Sequence, residues 1–315
     1  MGQNTTTTPI DLSVDLAGVH LINPVMTASG TSGFGPEYAA FLDISSLGAF
    51  VTKAVTPEER RGNPQPRTVE TAAGMLNAIG LANVGLERFC REKVGYLSGL
   101  GIPIVVNVAG RNADDYANVC RRLDEIECLS ILELNVSCPN VSDGLDYGTD
   151  AGRLEALVAH VRPFVRRAKL MVKLSPNVTD ITATARAAVN GGAEILSLIN
   201  TLQGMAINVE TRKPMLANRV GGLSGPAIKP VAVCMTDKVY RAVARDAGVP
   251  IVAMGGIQNW RDAVEFMLAG ATAVAVGTML FVDPTVPIQI REGLTDYCHR
   301  HGLSAVRNIV GQVDR

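Results

Sequence analysis

The sequence predicts one α/β domain, a (β/α)8 TIM barrel with an N-terminal β-hairpin and long loops over the C-terminal face. Three observations point there. Short β-branched runs alternate eight times with amphipathic segments, and the turns between them are rich in Gly, Asn, Ser and Thr. The chain has 315 residues, 47% of them hydrophobic and 19% charged, enough to bury the core of one barrel of this size.

The elements follow in order. Residues 1–10 form a polar leader and residues 11–315 the single domain. Asp11–Gly18 and Val19–Asn23 alternate like the arms of a hairpin that plugs the barrel's bottom. The first four strands are predicted at Val25–Ser29, Ala49–Ala54, Ile104–Val108 and Ser130–Val136. The other four are predicted at Leu170–Leu174, Ile195–Asn200, Ile251–Met254 and Ala273–Val276. Helices fill most intervals. In Arg153–Arg167, for example, Leu154, Leu157, Val158, Val161 and Val165 recur at steps of three and four residues and form a face that covers the barrel. Two intervals, Thr56–Leu81 and Thr201–Lys229, are too long for simple connections and are rich in Gly, Pro and Asn. Such loops above a barrel usually build its site.

Composition narrows the function. The net charge is −1 and the pI near 6.4, so no field favours nucleic acid or an acidic membrane surface. The six cysteines include no C-x-x-C pair and no metal-ligand spacing with histidine, which predicts free thiols in a reducing cytoplasm and no metal. No apolar run is long enough to cross a bilayer. Gly30, Gly33 and Gly35 run as G-x-x-G-x-G, the wrong order for a dinucleotide loop.

Barrel chemistry lies at the C-terminal ends of strands. Strand two ends in Lys53-Ala54, strand three in Asn107, and strand four in Asn135-Val136-Ser137-Cys138-Pro139-Asn140. Strand five ends in Lys173, strand six in Asn200-Thr201, strand seven in Gly255-Gly256 and strand eight in Gly277-Thr278. Paired glycines after the last two strands suit a phosphate held by backbone N–H groups. Carboxamides, which both donate and accept, match a cyclic imide edge such as a pyrimidine or a flavin; Asn77, Asn135, Asn140 and Asn200 are the candidates. His20, His160, His299 and His301 all fall away from these strand ends, so no histidine is placed as general base. Cys138, on a loop rich in Gly and Asp, is then the most plausible proton acceptor. Two other classes stay open: a lyase using Lys173 as a Schiff base, and a silent binding scaffold.

Asn135-Val136-Ser137-Cys138-Pro139-Asn140, Asn77-Ala78-Ile79-Gly80-Leu81 and Gly221-Gly222-Leu223-Ser224-Gly225-Pro226 resemble motifs of the dihydroorotate dehydrogenases, a likeness running from about Val14 to Val310. The class 1B enzymes are the most similar, given Ala28-Ser29-Gly30-Thr31 and Gly62-Asn63-Pro64; class 2 enzymes carry a hydrophobic N-terminal extension and a serine base. The resemblance implies oxidation of (S)-dihydroorotate to orotate in de novo pyrimidine (UMP) biosynthesis, with hydride transfer to one FMN per chain. Cys138 is then the base that takes the C5 proton, with Lys53 between flavin and substrate carboxylate. Lys173 stabilises the charge on the reduced flavin, and Asn77, Asn135, Asn140 and Asn200 hold the pyrimidine ring. Ala78, Ile79, Gly80, Leu81 and Thr201 assist them. Ser29, Gly30, Ala54, Asn107, Asn135, Ile199 and Gly225 line the flavin, and Gly255, Gly256, Gly277 and Thr278 its phosphate. The resemblance further implies a homodimer core joined to two partner subunits with FAD and a 2Fe–2S cluster that pass electrons to NAD. Within reach of the same motifs lie a fumarate-linked class 1A enzyme and a dihydropyrimidine dehydrogenase-like flavin enzyme. Cys234 and Asp237 depart from the basic or apolar helix residues expected there, which bears on partner contacts.

Overall fold

The computed structural model describes residues 9–137 and 147–313. Eight parallel strands form one sheet: β1 Val25–Thr27, β2 Phe50–Val51, β3 Ile104–Val108, β4 Leu129–Asn135, β5 Lys169–Lys173, β6 Ile195–Leu198, β7 Ile251–Met254 and β8 Ala273–Val276. Neighbours pair in the order β1-β8-β7-β6-β5-β4-β3-β2, and a parallel bridge from Met26 to Ala49 joins the two edges. The barrel is thereby closed, as the eight βα units require. The strands read as continuous Val, Ile, Leu and Ala because helices cover their outer faces while side chains fill the inside.

The helices begin where short polar side chains can satisfy free N–H groups. Asn112 caps Ala113–Asp124 after β3, Asp150 caps Ala151–Val161 after β4, and Asp180 caps Ile181–Asn190 after β5. After β7, Asn259 and Asp262 form a reciprocal capping box on Trp260–Leu268. The expected helix at Arg153–Arg167 is shorter: its α portion ends at Val161 and a 3-10 turn occupies Arg162–Phe164. Pro163 has no N–H to continue the ladder and its ring crowds the preceding turn. Leu154, Leu157, Val158, Val161 and Val165 are buried on the predicted face.

Three strands are also shorter than expected. The first ends at Thr27, the second pairs only over Phe50–Val51, and the sixth ends at Leu198. At the rim of β2 the hydrogen bonds to β3 continue from Thr52 N and Val55 N, but Lys53 N donates instead to Gly33 O at 2.9 Å. Thr52 and Val55 are three residues apart instead of the two of a regular ladder, so one extra residue breaks the register at Lys53. At the end of β6, Ile199 N donates to Met254 O while Asn200 N donates to Leu174 O, so the chain splits its bonds between two neighbours.

The predicted hairpin is present as Val14–Leu16 paired antiparallel with Val19–Leu21. Leu16 and Leu21 are buried, and only Ile22, Asn23 and Pro24 separate the hairpin from the start of β1. It therefore closes the N-terminal end of the barrel. At the opposite end the two long intervals pair with each other. Thr68–Thr71 and Gly74–Asn77 from the first join Val220–Ser224 and Leu202–Met205 from the second in a four-stranded antiparallel sheet over the C-terminal face. Among the described residues no helix is long and apolar enough to cross a membrane.

Candidate active site

The register of the barrel puts Asn107, Glu133, Asn135, Lys173 and Ser197 on one face of the sheet, the interior. Asn107, Glu133 and Ser197 are no more than 1% exposed and Lys173 is 5% exposed. Buried polar groups must find partners, and here they find one another. Glu133 accepts from Asn107 Nδ2 at 2.6 Å and from Ser197 Oγ at 2.7 Å. Asn107 Oδ1 accepts from Asn135 Nδ2 at 3.3 Å, and Asn135 Oδ1 accepts from Asn200 Nδ2 at 3.2 Å. Asn200 Oδ1 in turn accepts from Thr201 N at 2.9 Å. The Tyr116 hydroxyl donates to the carbonyl of Asn135 at 2.8 Å and holds the end of β4.

Lys173 donates to Ser29 Oγ at 3.1 Å, and among the described residues it has no carboxylate partner. A buried ammonium without a counter-ion is costly. It is an arrangement suited to an anionic or electron-rich ligand. Lys53 is half-buried at the neighbouring rim. Burial, and then the nearby Arg67 guanidinium, push its ammonium below the usual lysine range, while Glu37 opposes them.

The sheet over the barrel brings in the remaining predicted residues. Asn77 Nδ2 donates to Gly222 O at 3.3 Å, which links the two intervals. Gly222 has no room for a side chain: a Cβ there would lie 2.0 Å from Thr201 Oγ1. Asn63 fastens the turn after Asn77, its Nδ2 on Ala78 O and its N–H on Ile79 O. Leu81 adopts φ +55°, where the chain leaves the mouth after Gly80.

Glycines form the cradle on the far side. Gly225 (φ +95°) and Gly256 (φ +77°) bring the sheet onto the end of β7, since a Cβ on Gly256 would lie 2.8 Å from Gly225 O. Gly255 follows β7 and Gly277 follows β8, where Thr278 Oγ1 donates to Ser224 Oγ at 2.8 Å. Ala54 and Ile199 are buried at the ends of β2 and β6, and Gly30 is exposed beyond β1. Cys138 and Asn140 lie outside the described residues. Ser137 Oγ, just before them, is buried without a hydrogen-bond partner among the described residues.

Sequence reasoning passed over Glu133, Ser197, Ser224 and Arg67. Glu133 is the clearest of these, because a charged residue inside the otherwise apolar run of β4 was a visible signal. Among the described residues no cluster of His, Cys, Asp or Glu could hold a metal. The arrangement is a mouth with two lysines, several carboxamides and a backbone-lined cradle. It can bind a flat polar ring and an anionic group.

The chain is similar to known proteins over nearly its whole length. The dihydroorotate dehydrogenase family model matches residues 11–297. A Pelobacter propionicus protein named dihydroorotate dehydrogenase B (NAD(+)), catalytic subunit, is 50% identical over 305 residues, covering 96% of this chain and 99% of that protein. A Geobacter protein of the same name is 48% identical over 305 residues, covering 96% and 98%. The fold is similar to that of DHODH from Eimeria tenella, solved in complex with ferulenol, with a TM-score of 0.81 at 22% identity over 99% of this chain and 91% of that one. Half the residues agree with the first relative over nearly the full length, and the family model spans both the barrel and the sheet over it: the chain belongs to the dihydroorotate dehydrogenase family.

Proposed function

We propose that this chain is the catalytic subunit of an NAD-linked dihydroorotate dehydrogenase, which oxidises (S)-dihydroorotate to orotate in pyrimidine biosynthesis. The observation that carries this reading is the buried Lys173, without a carboxylate among the described residues, beside the asparagine chain that ends at the barrel mouth. The naming of the relatives as NAD(+) catalytic subunits supports this over the fumarate-linked alternative.

The residues present fit FMN. Lys173 would supply a buried cation for the flavin ring, Asn107 and Ile199 would line it, and the cradle of Gly225, Gly255, Gly256, Gly277 and Thr278 would offer backbone donors to the phosphate. When bound, FMN supplies a two-electron acceptor for the hydride that leaves C6 of dihydroorotate. The chain's own residues do the rest. Cys138 as thiolate takes the proton from C5, and the electron pair of that C–H bond becomes part of the new C5=C6 bond. Asn77, Asn135, Asn140 and Asn200 orient the ring, and Lys53 meets the substrate carboxylate. A partner subunit with FAD and a 2Fe–2S cluster, in an assembly of two plus two chains, would supply the route for electrons to NAD.

The test is the visible spectrum of the purified chain before and after anaerobic dihydroorotate. Oxidised flavin bands that bleach on addition are expected. A flavin spectrum indifferent to dihydroorotate but bleached by dihydrouracil overturns the substrate. A colourless protein trapped by borohydride with substrate overturns the flavin chemistry in favour of a Schiff base on lysine.

A further inference from the structure

We propose that Glu133 is a positioning residue that sets the polarity of the asparagine chain, and so decides which side-chain atoms the site offers its ligand. The proposal rests on the dihydroorotate reading for its ligand but not for its geometry. Glu133 is 1% exposed inside the barrel, where strand interiors are ordinarily filled by branched aliphatic side chains. Placing a carboxyl there costs several kcal/mol unless its hydrogen bonds are made. Both of its oxygens accept, from Asn107 Nδ2 at 2.6 Å and Ser197 Oγ at 2.7 Å.

The consequence travels outward. A carboxylate accepts and never donates, so Asn107 must turn its NH2 toward Glu133 and its oxygen toward Asn135. Asn135 then donates to Asn107 at 3.3 Å and presents its own oxygen to Asn200, which donates at 3.2 Å. Three amides are thus held in one sense, head to tail, anchored at the barrel core by Glu133 and at the rim by the Thr201 N–H on Asn200 Oδ1. Each NH2 has two hydrogens and uses one inside the chain. Each oxygen likewise has two lone pairs and uses one inside the chain, so the sense of the chain decides where Asn135 and Asn200 each turn a spare N–H and a spare lone pair toward a ligand, and with it which edge of a ring they match. A neutral amide in place of Glu133 could donate as well as accept, so the inner end of the chain would lose its anchor and only the Thr201 N–H, donating to Asn200 Oδ1 at 2.9 Å, would still hold the outer end.

The isosteric variant Glu133→Gln tests this. With flavin saturating, orotate is expected to bind about ten- to hundredfold more weakly, the scale of losing a charge-assisted hydrogen bond. The KM for dihydroorotate should rise more than kcat falls, since orientation rather than proton transfer is disturbed. In the double variant with Asn200→Ala, the two losses of affinity should combine to less than their product, because Glu133 acts partly through Asn200. Unchanged orotate affinity, or losses that simply multiply, overturns the proposal. If Glu133→Gln does not fold, neutron diffraction of the unmodified protein decides: deuterons on Asn107 Nδ2 pointing at Glu133 are expected, and Asn107 Oδ1 facing Glu133 overturns it. That measurement needs no orotate, so a failure of the substrate reading and a failure of this one are separate outcomes.

Discussion

Lys173 and Ser29, 144 residues apart in the chain, share a 3.1 Å hydrogen bond that ties the end of β5 to the turn after β1. Ser29 cannot neutralise the ammonium, and among the described residues no carboxylate lies within ion-pair distance of it. The variant Lys173→Met is expected to melt at the same temperature as the unmodified ligand-free chain or higher. Its affinity for FMN should fall about tenfold or more. Melting curves with and without FMN check both, and an unaltered FMN affinity would remove Lys173 from the flavin site.

Lys53 makes a pH prediction. Its ammonium lies below the ordinary value of about 10.4 in the fold, through burial first and Arg67 second. Between the folded and unfolded values the unfolded chain binds more protons, so this lysine's contribution to stability rises with pH across that window. Below the window the full penalty is present. Lys53→Met should therefore be the more stable chain at neutral pH, by a small margin since Lys53 is half exposed to solvent. The margin should close toward alkaline pH. Urea melts at neutral and alkaline pH measure it, and a margin that widens contradicts the assignment.

Gly222→Ala would put a Cβ 2.0 Å from Thr201 Oγ1 and 2.6 Å from Thr201 Cβ. The sheet over the barrel must shift, at a cost of roughly 1–3 kcal/mol. The barrel's circular dichroism should persist while the KM for dihydroorotate rises. Gly95→Ala serves as control, since a Cβ at that position in the helix Val94–Ser98 meets nothing within 4 Å. It should leave activity unchanged and stability equal or slightly higher.

The thiols should label in order of exposure. Cys234 is exposed, Cys90 and Cys128 are half-buried, and Cys120 and Cys298 are buried. Burial, with Asp124 nearby, pushes the Cys120 thiol far above its ordinary range. Among these five thiols, labelling followed by mass spectrometry should find Cys234 modified first and Cys120 only after unfolding. Early modification of Cys120 would mean that the helix Ala113–Asp124 opens readily.

Cys138→Ala should keep the flavin spectrum and lose about 10²–10⁴ in kcat, the range for a general base. Cys138→Ser should retain part of the rate with its pH profile moved to higher pH. Wild-type turnover in the alanine variant would assign the proton to another group.

Much of the fold was legible because its signals are local. β7 and β8 run Ile251–Met254 and Ala273–Val276, the predicted spans, since both are continuous apolar runs bounded by glycine. The rims were less legible: Lys53 reads as part of a strand in sequence, yet its N–H leaves the ladder for Gly33. At the site, the strand-end residues from Lys53 to Thr278 could be picked out because polar residues interrupt apolar runs there. Glu133 could not be given a role, because its partners Asn107 and Ser197 lie on other strands.

The sequence by itself determined the eight βα units, the closing hairpin, the interior lysine of β5 and the set of amides at the strand ends, because hydrophobic period and turn chemistry are written in neighbouring residues. Only the tertiary structure decided that the two long intervals pair as one sheet, joining Asn77 to Gly222 across 145 residues. It also decided that Glu133, Asn107, Asn135 and Asn200 run head to tail. Both depend on contacts between distant segments, and no local pattern encodes which distant donor a buried acceptor will meet.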